Sequence, residues 1–290
     1  MKNPVVEGWY ADPEARVYEG KVYLYVTKSL LFENQKNLDV VVSDDLKTFT
    51  VVKDILDMST FKDATYAIWA PSVIEKDNKY YIIFAANNIQ SEAEVGGLYI
   101  GVSDSPEGKF KNVFSDGRPF LNLFINNAKP IDAHFYKEGN DIYLYYEGGR
   151  HLNFAKMNET MTGVEPIENV TCANGFLEIT PPEFIEAPCM MKVNDDYFLM
   201  YSSGTWGKGT YCVMLSTAKT LYGPFESSKK ILKSSEIAEG PGHNGYFEFN
   251  GKLYIAYHRR IIGDSVRDHR VLCVDEMALK DGKIQPITMT

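Results

Sequence analysis

The sequence predicts an all-β chain, a five-bladed β-propeller with four-stranded blades around a central channel. Three observations predict it. Helical periodicity is almost absent, and short Val, Ile, Tyr and Phe runs alternate with Gly, Asn and Asp turns. One pattern returns five times: a turn residue, a polar residue or near equivalent, then a strand opening on an aromatic. The anchoring aromatics, Tyr23, Tyr81, Tyr143, Phe198 and Tyr254, lie 58, 62, 55 and 56 residues apart.

The units follow in order. GKVYLYV (20–26) leads into LDVVVSDDLKTFTVV, and NKYYIIF (78–84) into LYIGVSDSPEGKFKNV. Each second part reads as a strand, a Ser-Asp turn, an aromatic and another strand. NDIYLYY (140–146) and NFAKMNETMTGVEPIENV keep the rhythm with weaker turn chemistry. DDYFLMY (195–201) precedes YCVMLSTAKTLYGPFESSKKIL, and GKLYIAY (251–257) precedes HRVLCVDEMALKDGKIQPI. One more short strand precedes each anchor, so a unit holds about four strands, as a propeller blade does. The first unit starts before Asp12 and the fifth ends after Ile284. The expectation is one domain over residues 1–290, closed by blade-to-blade packing rather than by a shared strand.

Composition narrows the function. The apolar fraction of 44% can fill a sizeable core. A formal charge of −9 and a pI near 5.2 argue against nucleic-acid or anionic-membrane binding, which want a basic surface. Cys172, Cys189, Cys212 and Cys273 form no CxxC pair and read as scattered thiols. The first residues, MKNPVVEG, lack an apolar leader-like run, so the expected location is cytoplasmic, or outside the cell after a leader is removed.

Polar residues share the repeat. Eleven positions before the anchors stand Asp12, Ala70, Asp132, Ala187 and His243, with Trp69 and Glu186 each one place earlier. The first strands of propeller blades line the channel, so these residues are expected to converge at one mouth. A lone Asp before Pro is ordinarily a turn residue. Asp12, Asp132 and Glu186 in one register instead form a carboxylate cluster. Crowded carboxylates cannot all ionise freely, and an acid and a base on either side of a glycosidic bond are what glycoside hydrolysis needs.

At these residues the chain resembles glycoside hydrolase family 43. The stretches are GWYADPE (8–14), IWAPSVI (68–74), KPIDAHFY (129–136), FIEAPCMMK (184–192), YSSGTW (201–206) and EGPGHNGYF (239–247). The resemblance implies an inverting mechanism: Asp12 as general base on water, Glu186 as general acid, and Asp132 as the carboxylate that raises and orients the acid. Inversion places base and acid about 6.5–9.5 Å apart, retention about 5–5.5 Å. Trp69 is expected to wall the sugar, Thr205 and Trp206 to border the pocket, and Arg259 or Arg260 to bind a hydroxyl or hold the acid. No cofactor is required. In several family members a histidine at the place of His243 faces a channel calcium, and the alternative is a hydrogen-bonded channel histidine.

Many β-xylosidases of the family append a β-sandwich, for which five blades leave no residues here. A more open pocket, a covering subunit or a single-domain branch is expected. The implied activity is removal of terminal pentoses from xylo- or arabino-oligosaccharides, as a β-xylosidase or α-L-arabinofuranosidase. An endo-arabinanase with an open groove, or a sugar-binding propeller without catalysis, are the alternatives. The loops at 87–97 and 115–130 are expected to decide between pocket and groove.

Overall fold

A computed structural model of the chain describes residues 2–87, 96–168, 170–172 and 174–290. Blade one is β1 (Tyr10–Tyr18), β2 (Lys21–Lys28), β3 (Leu38–Ser43) and β4 (Thr50–Val52). Blade two is β5 (Trp69–Lys76), β6 (Lys79–Ala86), β7 (Gly97–Ser103) and β8 (Lys111–Asn112). Blade three holds β9 (Ile131–Glu138), β10 (Asp141–Gly148) and β11 (His151–Met157). Its outer edge is split between β12 (Val164–Glu165) and β13 (Leu177–Glu178), both paired to β11. Blade four is β14 (Glu186–Val193), β15 (Asp196–Ser203), β16 (Cys212–Ala218) and β17 (Lys229–Leu232). Blade five is β18 (Glu239–Phe249), β19 (Lys252–Arg260) and β20 (Arg270–Glu276), followed by the hairpin β21 (Leu279–Lys280) and β22 (Lys283–Ile284). All ladders are antiparallel, and β1, β5, β9, β14 and β18 neighbour one another around the axis.

The repeat has a geometric cause. In every blade a two-residue turn joins the first strand to the second: Glu19-Gly20, Asp77-Asn78, Gly139-Asn140, Asn194-Asp195 and Asn250-Gly251. Both residues have positive φ in the first, second and fifth turns. That is the type I′ geometry that matches strand twist and favours Asn, Asp and Gly. The anchor aromatic then stands third in every second strand. Its ring enters the apolar seam to a neighbouring blade: Tyr23 between blades one and two, Tyr81 between two and three, Tyr143 between three and four, Phe198 between four and five, Tyr254 between five and one. The core is thus five seams, and each fully buried large apolar side chain contributes about 1.5–3 kcal/mol.

Closure departs from the expectation in one respect. The seam between blades five and one, where Val22, Leu24 and Val26 meet Phe247, Ala256 and Leu272, is built like the others. The N-terminal segment adds a strap along β20. Val5 N–H donates to Leu272 O at 3.0 Å, and the Asn3 amide exchanges hydrogen bonds with Val274 N–H and O at 2.9 and 3.0 Å. This strap occupies the outer edge of blade five. The four cysteines are free, three of them buried. Among the described residues no helix is long and apolar enough to cross a membrane.

Candidate active site

Each inner strand carries a bulge near its start, at the same place in every blade. The residue there is left-handed although it is not glycine: Asp12 (φ 52°), Ala70 (48°), Asp132 (48°), Ala187 (61°) and His243 (45°). Such backbone costs about 1–3 kcal/mol per residue and is kept where it aims side chains. Here it turns the bulge residue and the one before it toward the channel mouth.

A cleft of about 490 Å³ opens there. Six of its nine lining residues come from those two columns: Asp12, Asp132 and His243 at bulges, and Trp69, Ile131 and Glu186 just before them. The register read from the sequence therefore brings the three carboxylates together. Phe32, Trp206 and Arg270 complete the lining. Two tryptophans and a phenylalanine offer faces suited to the C–H surface of a sugar ring.

The carboxylates are differentiated by their surroundings. Asp12 is 7% exposed. Burial alone would raise its carboxyl, but the Arg270 guanidinium at 3.0 Å, with His243 Nδ1 at 3.4 Å, holds it far below the ordinary range. Burial pushes His258 down to about 4, so its ring is neutral and Nδ1 accepts the Asp12 N–H at 3.2 Å. Asp132 is raised well above the ordinary range by burial and by the charges of Glu186 and Asp12. Burial lifts Glu186 to about 7; a Tyr211 hydrogen bond opposes the rise and the Asp12 charge adds to it. A fourth carboxyl, Glu147 on β10, is 4% exposed and raised by burial, Asp132 and Glu186. One ionised carboxylate thus faces protonated neighbours, the division a general base and a general acid require.

This division carries a stability cost with a definite sign. The folded state holds the Glu186 proton more tightly than the unfolded chain does. That contribution is complete below the ordinary Glu value of 4.5 and is lost as pH rises to about 7. Its ceiling is about 3 kcal/mol. Glu186→Gln is expected to raise the melting temperature at pH 8 and to leave it nearly unchanged at pH 4. Equal shifts at both pH values in calorimetry would contradict the assignment.

The remaining residues singled out in the sequence divide. Trp69 lines the cleft; its Nε1 donates to Gln35 Oε1 and its ring meets Phe32 edge-on at 4.9 Å. Trp206 lines it too, with the guanidinium groups of Arg267 and Arg270 over its ring at 4.8 and 5.0 Å. Thr205 is exposed beside the cleft, its N–H donating to Thr210 Oγ1 at 3.3 Å. Arg259 and Arg260 do not line the cleft. Arg259 Nη1 donates to Thr290 O at 2.8 Å, and Arg260 is taken up by the carbonyls of Asp264, Val266 and Arg267. Arg270, directly across the ladder from Arg260, is the arginine at the site.

His243 Nδ1 points between Asp12 Oδ1 and Asp132 Oδ2, at 3.4 and 3.6 Å. Among the described residues no group of three or more His, Cys, Asp or Glu side chains is arranged to hold a metal ion. Of the two loops expected to shape the cleft, residues 88–95 of the first lie outside the described residues. In the second, Leu121 and Ile125 are buried between blades two and three, and the chain enters β9 at Ile131, a cleft wall.

The sequence reading missed Arg270, Phe32 and Tyr211. Tyr211 donates its hydroxyl to Glu186 Oε1 at 2.5 Å. All three sit outside the first strands, where no repeat register reaches them.

The family described as Glycosyl hydrolases family 43 matches residues 1–284. Among similar proteins, a β-D-galactofuranosidase (xynD) of Aspergillus niger is 35% identical over 99% of this chain and 85% of its own length. Xylosidase/arabinosidase 43A of Humicola insolens is 27% identical over 97% of this chain and 98% of its own. Among solved structures, a β-xylosidase/α-arabinofuranosidase from a compost microbial metagenome superposes with a TM-score of 0.78 at 25% identity, covering 98% and 96% of the two chains.

Proposed function

The chain belongs to glycosyl hydrolase family 43, and from that premise we propose that it is an inverting exo-glycosidase that releases terminal furanosyl residues, α-L-arabinofuranosyl first among them. The observation that carries the reading is the pairing in one cleft of Asp12, held ionised by Arg270, with Glu186, held protonated up to about pH 7. Asp12 removes a proton from water as it attacks the anomeric carbon. Glu186 gives a proton to the departing oxygen. Asp132, raised by burial and by the charges of Glu186 and Asp12, is neutral in the free site and shares the cleft with both. The cleft is walled by Phe32, Trp69, Ile131 and Trp206, apolar faces that suit a sugar ring.

The galactofuranosidase relative favours a second substrate of the same ring geometry. β-D-galactofuranose has the ring configuration of α-L-arabinofuranose and differs by one further hydroxymethyl group on the exocyclic carbon. A site for one accepts the other where the cleft has room beyond that carbon. The xylosidase/arabinosidase relatives support β-D-xylosides as a further substrate.

The test is a panel of 4-nitrophenyl glycosides: α-L-arabinofuranoside, β-D-galactofuranoside, β-D-xylopyranoside and α-L-arabinopyranoside, beside debranched arabinan. The two furanosides are expected to exceed both pyranosides in kcat/KM by at least about tenfold, a difference of 1.4 kcal/mol in transition-state binding. The first-formed sugar seen by proton NMR is expected to have the inverted configuration. Cleavage of arabinan into internal fragments, with no monosaccharide release, would overturn exo action.

A further inference from the structure

We infer that Tyr211 is a positioning residue for the proton donor: its hydroxyl fixes the Glu186 carboxyl and sets the pH at which that group loses its proton. The inference rests on the reading of Glu186 as the general acid.

Tyr211 is fully buried at the entry to β16. Its hydroxyl donates to Glu186 Oε1 at 2.5 Å. The ring is held between two neighbours. It stacks against His258, with ring centroids 5.7 Å apart and planes 8° from parallel. It also lies so close to Gly242 that a Cβ there would come within 2.0 Å of a ring carbon. Only glycine fits that place on β18. A rigid plate therefore ends in a hydroxyl at the donor, and its stacking partner holds the backbone N–H of Asp12.

The charged and titratable groups around Glu186 are Asp12 from β1, Asp132 from β9, Glu147 from β10, His243 from β18 and Arg270 from β20. The Asp12 charge favours the protonated donor, and Arg270 and the Tyr211 hydroxyl favour the ionised one. Removing a hydrogen bond donated to the carboxyl penalises the charged form more than the neutral one. Tyr211 thus keeps the donor from rising too far to release its proton readily.

The test is Tyr211→Phe, which keeps the ring, the His258 stack and the Gly242 contact. The basic limb of the kcat/KM profile is expected to move up by about one pH unit. kcat is expected to fall about tenfold on a glycoside with a poor leaving group, and less on one releasing 4-nitrophenolate. A carbon-13 carboxyl titration of Glu186 by NMR, assigned with Glu186→Gln, is expected to show the same upward move without reference to activity. A basic limb and carboxyl titration both unmoved in Tyr211→Phe, beside a Glu186→Gln enzyme that has lost the limb, would overturn the inference and leave the acid assignment standing. A Glu186→Gln enzyme that keeps the wild-type limb would overturn both.

Discussion

Glu186→Gln is expected to lower kcat on an arabino-oligosaccharide by about 10²–10⁴-fold, the range that general acid catalysis supplies. Sugar affinity should change little. Glutamine keeps the size of the side chain, and its amide oxygen still accepts the Tyr211 hydroxyl that bonds Glu186 Oε1. What it lacks is a proton to give. The loss should therefore grow with the basicity of the departing oxygen: large for a sugar alcohol, small for 4-nitrophenolate, which leaves without help. Steady-state rates on a leaving-group series, with binding measured separately by calorimetry, check both parts. Near-wild-type turnover on the oligosaccharide would remove Glu186 from the acid role.

The arrangement that makes this possible is a choice among carboxyls. Asp12, Asp132 and Glu147 are buried with the half-buried Glu186 beside them, and loss of solvent pushes all four toward the neutral form. Arg270 decides which one ionises, because its guanidinium sits 3.0 Å from Asp12 Oδ1. Once Asp12 is charged, its field holds protons on Glu186 and Asp132. The resemblance assigns Asp132 the task of raising the acid. In the structure burial and Asp12 raise Glu186, and Asp132 is itself raised by Glu186.

How much of this was legible depends on which strand a residue occupies. A constant two-residue turn fixes the distance from each anchor aromatic back to the bulge, so counting eleven residues lands on φ values of 45–61° in all five blades. Asp12, Asp132 and His243 were readable for that reason, and Trp69 and Glu186 one step away. The loops between second and third strands vary in length, from the two residues Gly149-Arg150 to the ten between Ala86 and Gly97. No count carries across them. Arg270 lies beyond such a loop, Tyr211 at the end of one and Phe32 within one. Arg259 and Arg260 were the arginines expected at the site, but the long loop after β19 folds back and takes the Arg260 guanidinium for its own carbonyls. The strap at Asn3 and Val5 was hidden because only one of its residues bonds through backbone to backbone, so it leaves no strand pattern.

Asp12→Asn is expected to cost both activity and stability, and the two losses can be separated. Without an ionised carboxylate no group in the cleft takes the proton from the attacking water, and kcat should fall by about 10²–10⁴-fold. Water attack is common to every substrate, so this loss should be nearly independent of the leaving group, in contrast to Glu186→Gln. The stability loss comes from Arg270, which is 7% exposed and would be left as a buried charge facing an amide. Breaking such a pair costs about 3–5 kcal/mol, because the remaining charge is uncompensated. Removing that charge as well, in Asp12→Asn with Arg270→Met, should recover much of the stability in urea melts while the activity stays lost. Since Arg270 holds Asp12 ionised far below the ordinary range, the wild-type kcat/KM profile should show no acidic limb from Asp12 at ordinary pH. A loss in Asp12→Asn that tracks leaving-group basicity would move the base assignment elsewhere. Recovery of activity in the double variant would show that the single change had disturbed the fold rather than the proton transfer.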